Sequence, residues 1–313
     1  MLVPPRTSLL VCAAVLAIVG AGAGAVASAA PALAGTASGP IVAVGAENEY
    51  ADVISQIGGP YVRVSAIMSN PNTDPHEFEA SASVAEAVSK AELIVQNGVG
   101  YDTFMNKIEA ASPRQGRDVI VAQQLLDLSS NIFNPHLWYN PRTMPLVAKA
   151  VATDLSKLEP AHGAYFRAQD NAFVKSLQPW LAAIANFKKR YSGTPVAVTE
   201  PVADYMVVAA GVDIMTPQSL QAAIMNGTDP SPQDITTEDS LITGHKVKVF
   251  LYNQQVTDSL TASFLADANK AHVPVVGVYE TMPVPGYHYQ SWMLAEVDAL
   301  EAALVKGTST VRL

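Results

Sequence analysis

Short apolar runs alternate with helix-like patterns along the first part of the chain. An apolar run bounded by turn signals predicts a buried strand, whereas apolar residues spaced three and four apart predict a helix. The predicted strands are residues 41–44, 61–67, 91–95 and 119–122, and the predicted helices are residues 47–57, 82–90 and 101–110. Strands and helices in this order predict parallel βαβ units.

The next part of the chain contains two helical patterns with no strand-like run between them. The first pattern covers residues 144–158. The second begins at Pro160, which suits a first helical turn, and ends in the positive residues 188–190, which suit a helix C-terminus. A single helix of this length would extend about 45 Å, with Pro179 as the expected site of a kink.

Strands return in the last part of the chain. The predicted strands are residues 196–199, 207–210, 247–252 and 273–279, and a closing helix is expected at about residues 289–305. The whole pattern predicts an α/β fold with two lobes of parallel sheet, flanked by helices and joined by a long rigid helix. The predicted boundaries are 41–158 for the N-terminal lobe, 159–190 for the linking helix and 191–313 for the C-terminal lobe.

The first residues have the features of an export signal. The chain is almost entirely apolar or small up to Ala29, Arg6 is the only charge in this stretch, and residues 27–29 form the pattern Ala-Ser-Ala. This predicts a signal peptide at residues 1–29 and a disordered linker at residues 30–40. The alternative is an uncleaved membrane anchor, since the run approaches the roughly 20 residues that span a bilayer. We expect an exported protein, periplasmic or at the cell surface, with membrane association left open.

The composition of the chain limits the kinds of ligand and metal site that it can have. The formal net charge is −9, which argues against a nucleic-acid surface and leaves cations as ligands or partners. Cys12 is the only cysteine, so the sequence excludes an internal disulfide framework and any cysteine cluster for zinc or iron–sulfur. A bound metal ion must therefore use histidines and carboxylates.

Two Pro-His pairs lie in predicted loops. His76 follows Pro75 in the loop after strand 61–67, and His136 follows Pro135 before the next helix. Proline stiffens the loop, so each pair presents an imidazole at a low ordering cost. For either histidine alone, a surface position in a capping turn is the alternative.

Two carboxylates follow apolar strands of the second lobe without an intervening loop. Glu200 comes directly after residues 196–199, and Glu280 comes directly after residues 273–279. Either alone is also compatible with a helix cap or an ion pair. Parallel sheets present ligands beyond the carboxyl ends of their strands, so we predict that these glutamates and the two histidines hold a metal ion between the lobes.

The candidate residues belong to motifs spread over nearly the whole predicted exported chain. The motifs are residues 74–79 with 91–98, residues 134–138, Thr199 and Glu200 with Tyr205, residues 278–281, and the loop 229–232. In these motifs the chain resembles the metal-binding receptors of ABC importers for zinc, manganese or iron, known as cluster A-I or cluster 9 substrate-binding proteins. The resemblance implies two α/β lobes on a long rigid helix, with His76, His136, Glu200 and Glu280 around the metal ion.

The resemblance also implies the cargo and the partner. A receptor of this family is not an enzyme and delivers its ion to the membrane permease of an ABC importer, and we expect a monomer. Two imidazoles and two carboxylates suit Mn²⁺, Zn²⁺ or Fe²⁺, and we favour Mn²⁺ or Zn²⁺, manganese slightly because half of the donors are hard oxygens.

Two departures from the family pattern bear on the cargo. Glu280 stands where members often have aspartate, and Glu200 stands where zinc-selective members often have a third histidine. His288, which follows soon after Glu280, is the rival fourth ligand. The alternative function is an exported zinc-dependent hydrolase, which would need an open coordination position and a general base.

Overall fold

The computed structural model describes residues 39–72, 78–283 and 285–313. The predicted signal peptide and nearly all of the predicted linker lie outside these residues, and so does His76. Two four-stranded sheets, each with its own helices, confirm the predicted fold class. Within the described ranges, no helix combines the length and the apolar character needed to cross a membrane.

The first sheet has two buried strands at its centre. Its strands are β1 (Ile41–Glu47), β2 (Val62–Met68), β3 (Leu93–Gln96) and β4 (Asp118–Val121). They pair in the order β2-β1-β3-β4, and every pair is parallel. Because the strand order reverses between β1 and β3, a crevice is expected beyond the carboxyl ends of these two strands.

The helices of the first lobe cover this sheet. They are α1 (Asn48–Gly58), α2 (Ala82–Lys90), α3 (Thr103–Ala111), α4 (Ala122–Leu125) and α5 (Thr143–Leu158). Helix α1 follows β1 without a loop and buries Tyr50, Val53, Ile54 and Ile57, which is the spacing of one helical face. That face fixes the start of α1 against the sheet.

The connection between the lobes is two helices, α6 (Gly163–Ser176) and α7 (Gln178–Tyr191). The segment predicted as the linking helix, residues 159–190, is helical on both sides of a break at Leu177, next to Pro179, where the sequence predicts a kink. Pro179 has no N–H to donate to the preceding turn, and its ring would clash with the carbonyl there, so the helix breaks at Leu177. The side chains of Phe173 and Trp180 on either side of the break pack on the ring of Tyr289.

The second lobe repeats the strand order of the first. Its strands are β5 (Pro195–Val198), β6 (Asp213–Ile214), β7 (Val249–Asn253) and β8 (Val275–Val278). They pair in parallel in the order β6-β5-β7-β8. Its helices are α8 (Asp204–Ala209), α9 (Gln218–Met225), α10 (Pro232–Thr243), α11 (Ser259–Lys270) and α12 (Tyr289–Lys306).

The strand predicted at residues 207–210 is wrong, because this segment lies in α8 and the turn that follows it. Met206, Val207 and Ala210 are buried while Val208 is 58% exposed, which is a helical pattern of burial. Four apolar residues are too few for their spacing to distinguish a strand from a short helix.

One hydrophobic core extends through both lobes. Trp138 and Tyr139 of the first lobe meet Tyr289 and Trp292 of α12, and the rings of Tyr139 and Trp292 lie 5.6 Å apart. The Tyr289 hydroxyl donates to the carbonyl of Trp138 at 2.6 Å. A continuous packed core favours small movements between the lobes over a wide hinge opening.

Candidate metal centre

His136 is fully buried in the loop before the turn Leu137–Tyr139. Its Nδ1 lies 2.8 Å from Asn134 Oδ1, and its backbone N–H donates to the same oxygen at 2.9 Å. The amide of Asn134 is oriented from its other end, since Nδ2 donates to the carbonyl of Pro201 at 2.6 Å. His136 Nδ1 therefore carries the proton, and the lone pair of Nε2 is the one that can bind a metal ion.

Glu280 reaches the same place from the second lobe, just beyond β8. It is fully buried, and its Oε2 lies 3.3 Å from His136 Nε2. The Tyr101 hydroxyl donates to Oε2 at 2.9 Å, and Asn253 Nδ2 donates to Oε1 at 2.7 Å. The backbone N–H of Glu280 donates to Gln255 Oε1 at 2.7 Å and so fixes the turn. The structure thus brings an imidazole of one lobe against a carboxylate of the other.

Glu200 follows β5 and is also buried. Asn253 Nδ2 donates to Glu200 Oε1 at 2.9 Å in addition to its bond with Glu280. Asn253 is the last residue of β7, which lies between β5 and β8, so one amide ties both carboxylates together. The second lobe therefore presents Glu200 and Glu280 as one acidic unit at the edge of its sheet.

The sequence interpretation did not identify Asn253 or Tyr101. A signal existed for Asn253, which ends an apolar strand in the same way as the two glutamates follow theirs. Tyr101 gave no comparable signal, because it lies at the start of a predicted helix. Its ring and that of Trp138 flank His136, with centroids 5.8 and 5.4 Å from the imidazole.

The two other candidate histidines are His76 and His288. His76 lies outside the described residues, so its part in the site stays a prediction. His288 is 69% exposed, and its Nδ1 lies 2.7 Å from Asp52 Oδ1 at the start of α12. Glu280, and not His288, is the group in contact with His136. Across the part of the chain that the structure describes, no three histidine, cysteine, aspartate or glutamate side chains by themselves form a group that could hold a metal ion.

Three further carboxyl groups lie at the crevice of the first sheet. Burial raises the pKa of Asp102 to about 6, although its oxygens accept bonds from the backbone N–H groups of Asn97 and Gly98. Burial, followed by the charge of Asp102, raises the pKa of Glu47 well above its ordinary value. Burial also raises the pKa of Glu49, with a smaller contribution from Glu280. The cleft is therefore more acidic than the four predicted ligands require.

Hydrogen bonds between the lobes surround the site. Besides the bond from Asn134 to Pro201, the Tyr205 hydroxyl donates to the carbonyl of Asn134 at 2.9 Å. Asn48 and Met282 exchange two bonds of 2.8 and 3.0 Å between a side-chain amide and the backbone. These bonds hold the lobes together through residues close in sequence to His136 and Glu280.

The structure sets one imidazole nitrogen against the carboxylate of Glu280, and Asn253 links the carboxylate of Glu200 to the same cluster. This mixed set suits Mn²⁺, Fe²⁺ or Zn²⁺ better than a soft ion such as Cu⁺, because it contains no sulfur. The buried carboxylates supply negative charge where water is excluded, so a divalent cation would be held there more strongly than at the surface.

Comparisons relate the chain to known proteins. A family model described as ZnuA, zinc-uptake complex component A, periplasmic, matches residues 44–303. The chain is 31% identical over 134 residues to the zinc-binding protein TroA of Treponema pallidum (strain Nichols), and this match covers 41% of the chain and 42% of TroA. It is 22% identical over 294 residues to the manganese ABC transporter substrate-binding lipoprotein PsaA of Streptococcus pneumoniae serotype 4, covering 87% of the chain and 92% of PsaA.

Solved structures show the same fold. The periplasmic zinc-binding protein TroA of Treponema pallidum superposes with a TM-score of 0.71 at 19% identity, covering 87% of this chain and 100% of that one. The substrate-binding protein FpvC of Pseudomonas aeruginosa, in complex with Mn²⁺, superposes with a TM-score of 0.69 at 19% identity, covering 86% and 99%. Both similarities extend over both lobes.

Proposed function

The chain belongs to the ZnuA family, the periplasmic component A of zinc-uptake complexes, and on this premise we propose that it captures a divalent transition metal between its lobes and delivers it to an ABC importer. Membership confirms the resemblance inferred from the motifs. The family consists of uptake components, so the hydrolase alternative is not favoured. The proposed cargo is Mn²⁺ or Zn²⁺, with Fe²⁺ as a further candidate, and relatives named for zinc and for manganese support this range.

The proposed ligands are His76, His136, Glu200 and Glu280. The observation that carries the proposal is the 3.3 Å contact between His136 Nε2 and Glu280 Oε2, made across the lobes in a fully buried place. The amide of Asn253 adds Glu200 to the same cluster. An imidazole whose second nitrogen is fixed by a hydrogen bond, facing carboxylates fixed by others, is the usual arrangement of a metal-binding site.

The partner and the location belong to the same proposal. The chain acts outside the cytoplasm as a monomer, after cleavage behind Ala29, and docks on the membrane permease of the importer. We also propose that the lobes are bounded at residues 41–158 and 191–313, with residues 159–190 between them. The description of PsaA as a substrate-binding lipoprotein of an ABC transporter supports the importer and an extracytoplasmic position.

Calorimetry on chelator-stripped protein tests the function. We expect at least one of Mn²⁺ and Zn²⁺ to bind, and His136→Ala and His76→Ala each to weaken that binding by more than about 100-fold. Loss of a direct ligand should exceed the roughly 10- to 100-fold effect of losing a supporting hydrogen bond. His162→Ala is the matched control, because this histidine stacks on Tyr61 and makes no described contact with the proposed ligands.

The outcomes separate two parts of the proposal. If wild-type protein binds neither ion, the transport function is wrong. If the ion binds and His136→Ala behaves like His162→Ala, the function stands and the ligand set is wrong.

A further inference from the structure

The first lobe carries two buried glutamates that the proposed ligand set does not use. Glu47 is the last residue of β1, Glu49 lies in the first turn of α1, and their side chains are 1% and 0% exposed. We propose that Glu47 and Glu49 take part in cargo selection, as carboxylates that favour an oxygen-preferring divalent ion such as Mn²⁺ over Zn²⁺. This inference rests on the proposed function and concerns only which ion the centre prefers.

Asn48, the residue between the two glutamates, makes hydrogen bonds that attach residues 47–49 to the second lobe. Asn48 Nδ2 donates to the carbonyl of Met282 at 2.8 Å, and the N–H of Met282 donates to Asn48 Oδ1 at 3.0 Å. Met282 lies in the turn that carries Glu280. The segment from Glu47 to Glu49 is therefore held beside the loop of a proposed ligand, at the crevice where parallel sheets bind their ligands.

Glu280 is itself held from the first lobe. The Tyr101 hydroxyl donates to Glu280 Oε2 at 2.9 Å. The first lobe therefore contacts the turn of Glu280 twice, through Tyr101 and through the two hydrogen bonds between Asn48 and Met282.

The pair differs from its acidic neighbour in its bonding. Asp102 accepts bonds of 2.6 and 3.0 Å from the backbone N–H groups of Asn97 and Gly98. In the described part of the chain, none of the four side-chain oxygens of Glu47 and Glu49 accepts a well-directed hydrogen bond, and nearby backbone N–H groups, including that of Met282 beside Glu49, only partly offset the rise that burial causes in their pKa values. Buried polar groups in folded proteins are nearly always hydrogen-bonded, because leaving them without partners costs free energy. Protonation does not remove this cost, since the O–H would also lack an acceptor. A bound cation would offset it.

The chemistry of the pair indicates the kind of ion. Additional carboxylates raise both the negative charge and the number of oxygen donors around the ion, and this favours Mn²⁺, which accepts more oxygen ligands. Zn²⁺ is usually four-coordinate and is already satisfied by the two imidazoles and two carboxylates of the proposed ligand set. The pair is assigned to the same centre as the proposed ligands and not to a separate ion site.

The test compares two ions in matched variants. Chelator-stripped wild type, the double variant Glu47→Gln with Glu49→Gln, and the control Glu238→Gln are titrated with Mn²⁺ and with Zn²⁺ in a calorimeter. Glu238 is a buried glutamate of α10 bonded to Thr216, so it controls for loss of a buried carboxyl. We expect the double variant to lose about tenfold or more in Mn²⁺ affinity and less than about threefold in Zn²⁺ affinity, with the control unchanged.

Thermal unfolding in chelator separates cargo selection from a structural role. Removing two carboxyl groups that lack partners should leave the midpoint of the double variant equal to or above that of wild type. A lower midpoint together with weaker binding of both ions overturns the inference, and so does an unchanged ratio of Mn²⁺ to Zn²⁺ affinity.

A second variant guards against misfolding of the first. Glu49→Asp keeps the charge and withdraws the oxygens by one methylene, so we expect a smaller loss of Mn²⁺ affinity than in the double variant. Manganese-edge X-ray absorption should count fewer oxygen and nitrogen neighbours in the double variant than in wild type. If wild type binds no ion at all, the failure belongs to the proposed function. If it binds and no variant changes the affinity ratio, the failure belongs to this inference.

Discussion

The two lobes have the same strand order, but the hydrogen bonds made to their buried carboxylates differ. In the second lobe, Glu200 and Glu280 both accept hydrogen bonds from Asn253, and Glu280 accepts a further bond from Tyr101. In the first lobe, Glu47 and Glu49 are equally buried, but among the described residues no side chain donates to their oxygens and no backbone N–H makes a well-directed hydrogen bond with them. Equivalent edges of two similar sheets thus hold carboxylates in two electrostatic conditions.

The difference indicates that the two lobes contribute to the metal centre in different ways. Carboxylates that are hydrogen-bonded in advance keep their geometry when an ion arrives, so the second lobe supplies a rigid part of the centre. Buried carboxylates without well-directed hydrogen bonds cost folding free energy and gain most from a cation, so the first lobe supplies the part that responds to the identity of the ion. Three variants test whether this difference is real.

The largest effect is expected from Asn253→Ala, which removes the donor shared by Glu200 and Glu280. Metal affinity should fall by about 10- to 100-fold, the usual effect of losing a hydrogen bond to a metal ligand. Calorimetry with Mn²⁺ and Zn²⁺ measures the loss, and Asn269→Ala, at an exposed position of α11, is the control. If Asn253→Ala binds both ions as tightly as this control, the claim that the second lobe supplies a rigid part of the centre is wrong.

The sequence predicted the elements that place these residues better than it predicted their partners. Glu200 and Glu280 were found because each follows an apolar strand, and strand ends of a parallel sheet converge on one edge. Asn253 satisfies the same rule, but an amide is a weaker chemical signal than a carboxylate. The bonds that give Asn253 its role join residues distant in the chain, and no local pattern records them.

Glu47 and Glu49 were missed for a different reason. Acidic residues in the first turn of a helix complement the helix dipole and usually face solvent, so their presence at the start of α1 needed no special explanation. Their burial follows from the packing of the turn at Met282 against Asn48. A contact between the lobes of this kind is visible only in three dimensions.

A smaller effect is expected from a buried carboxyl of the second lobe that lies outside the proposed ligand set. Glu296 Oε1 accepts bonds from Trp292 and Tyr139 at 3.0 and 3.1 Å, and burial raises the pKa of Glu296 to about 8. Between its ordinary value of 4.5 and about 8, the folded chain holds a proton that the unfolded chain has lost. This group's contribution to stability is therefore complete at low pH and is lost as the pH rises through that window.

Glu296→Gln should remove this dependence. The free energy of unfolding of wild type should decline relative to the variant by as much as about 1.4 kcal/mol per pH unit between pH 5 and pH 7. Urea unfolding in chelator at several pH values measures both slopes. Parallel slopes would show that Glu296 is ionised in the folded chain, and the two lobes would then differ less than the hydrogen bonds indicate.

The smallest effect is expected from His288→Ala, which removes the rival fourth ligand. His288 pairs with Asp52 at 2.7 Å, and Asp52 Oδ2 also accepts the N–H of Tyr289 at 2.9 Å, so the bond that caps α12 remains when the imidazole is removed. An exposed pair of this kind contributes about 0 to 1 kcal/mol to stability. Metal affinity should stay within about twofold of wild type, because His136 contacts Glu280 and not this histidine. A loss as large as that expected for Asn253→Ala would move the fourth ligand from Glu280 to His288, and the second lobe would then bind its ion with an exposed histidine in place of a carboxylate fixed in advance.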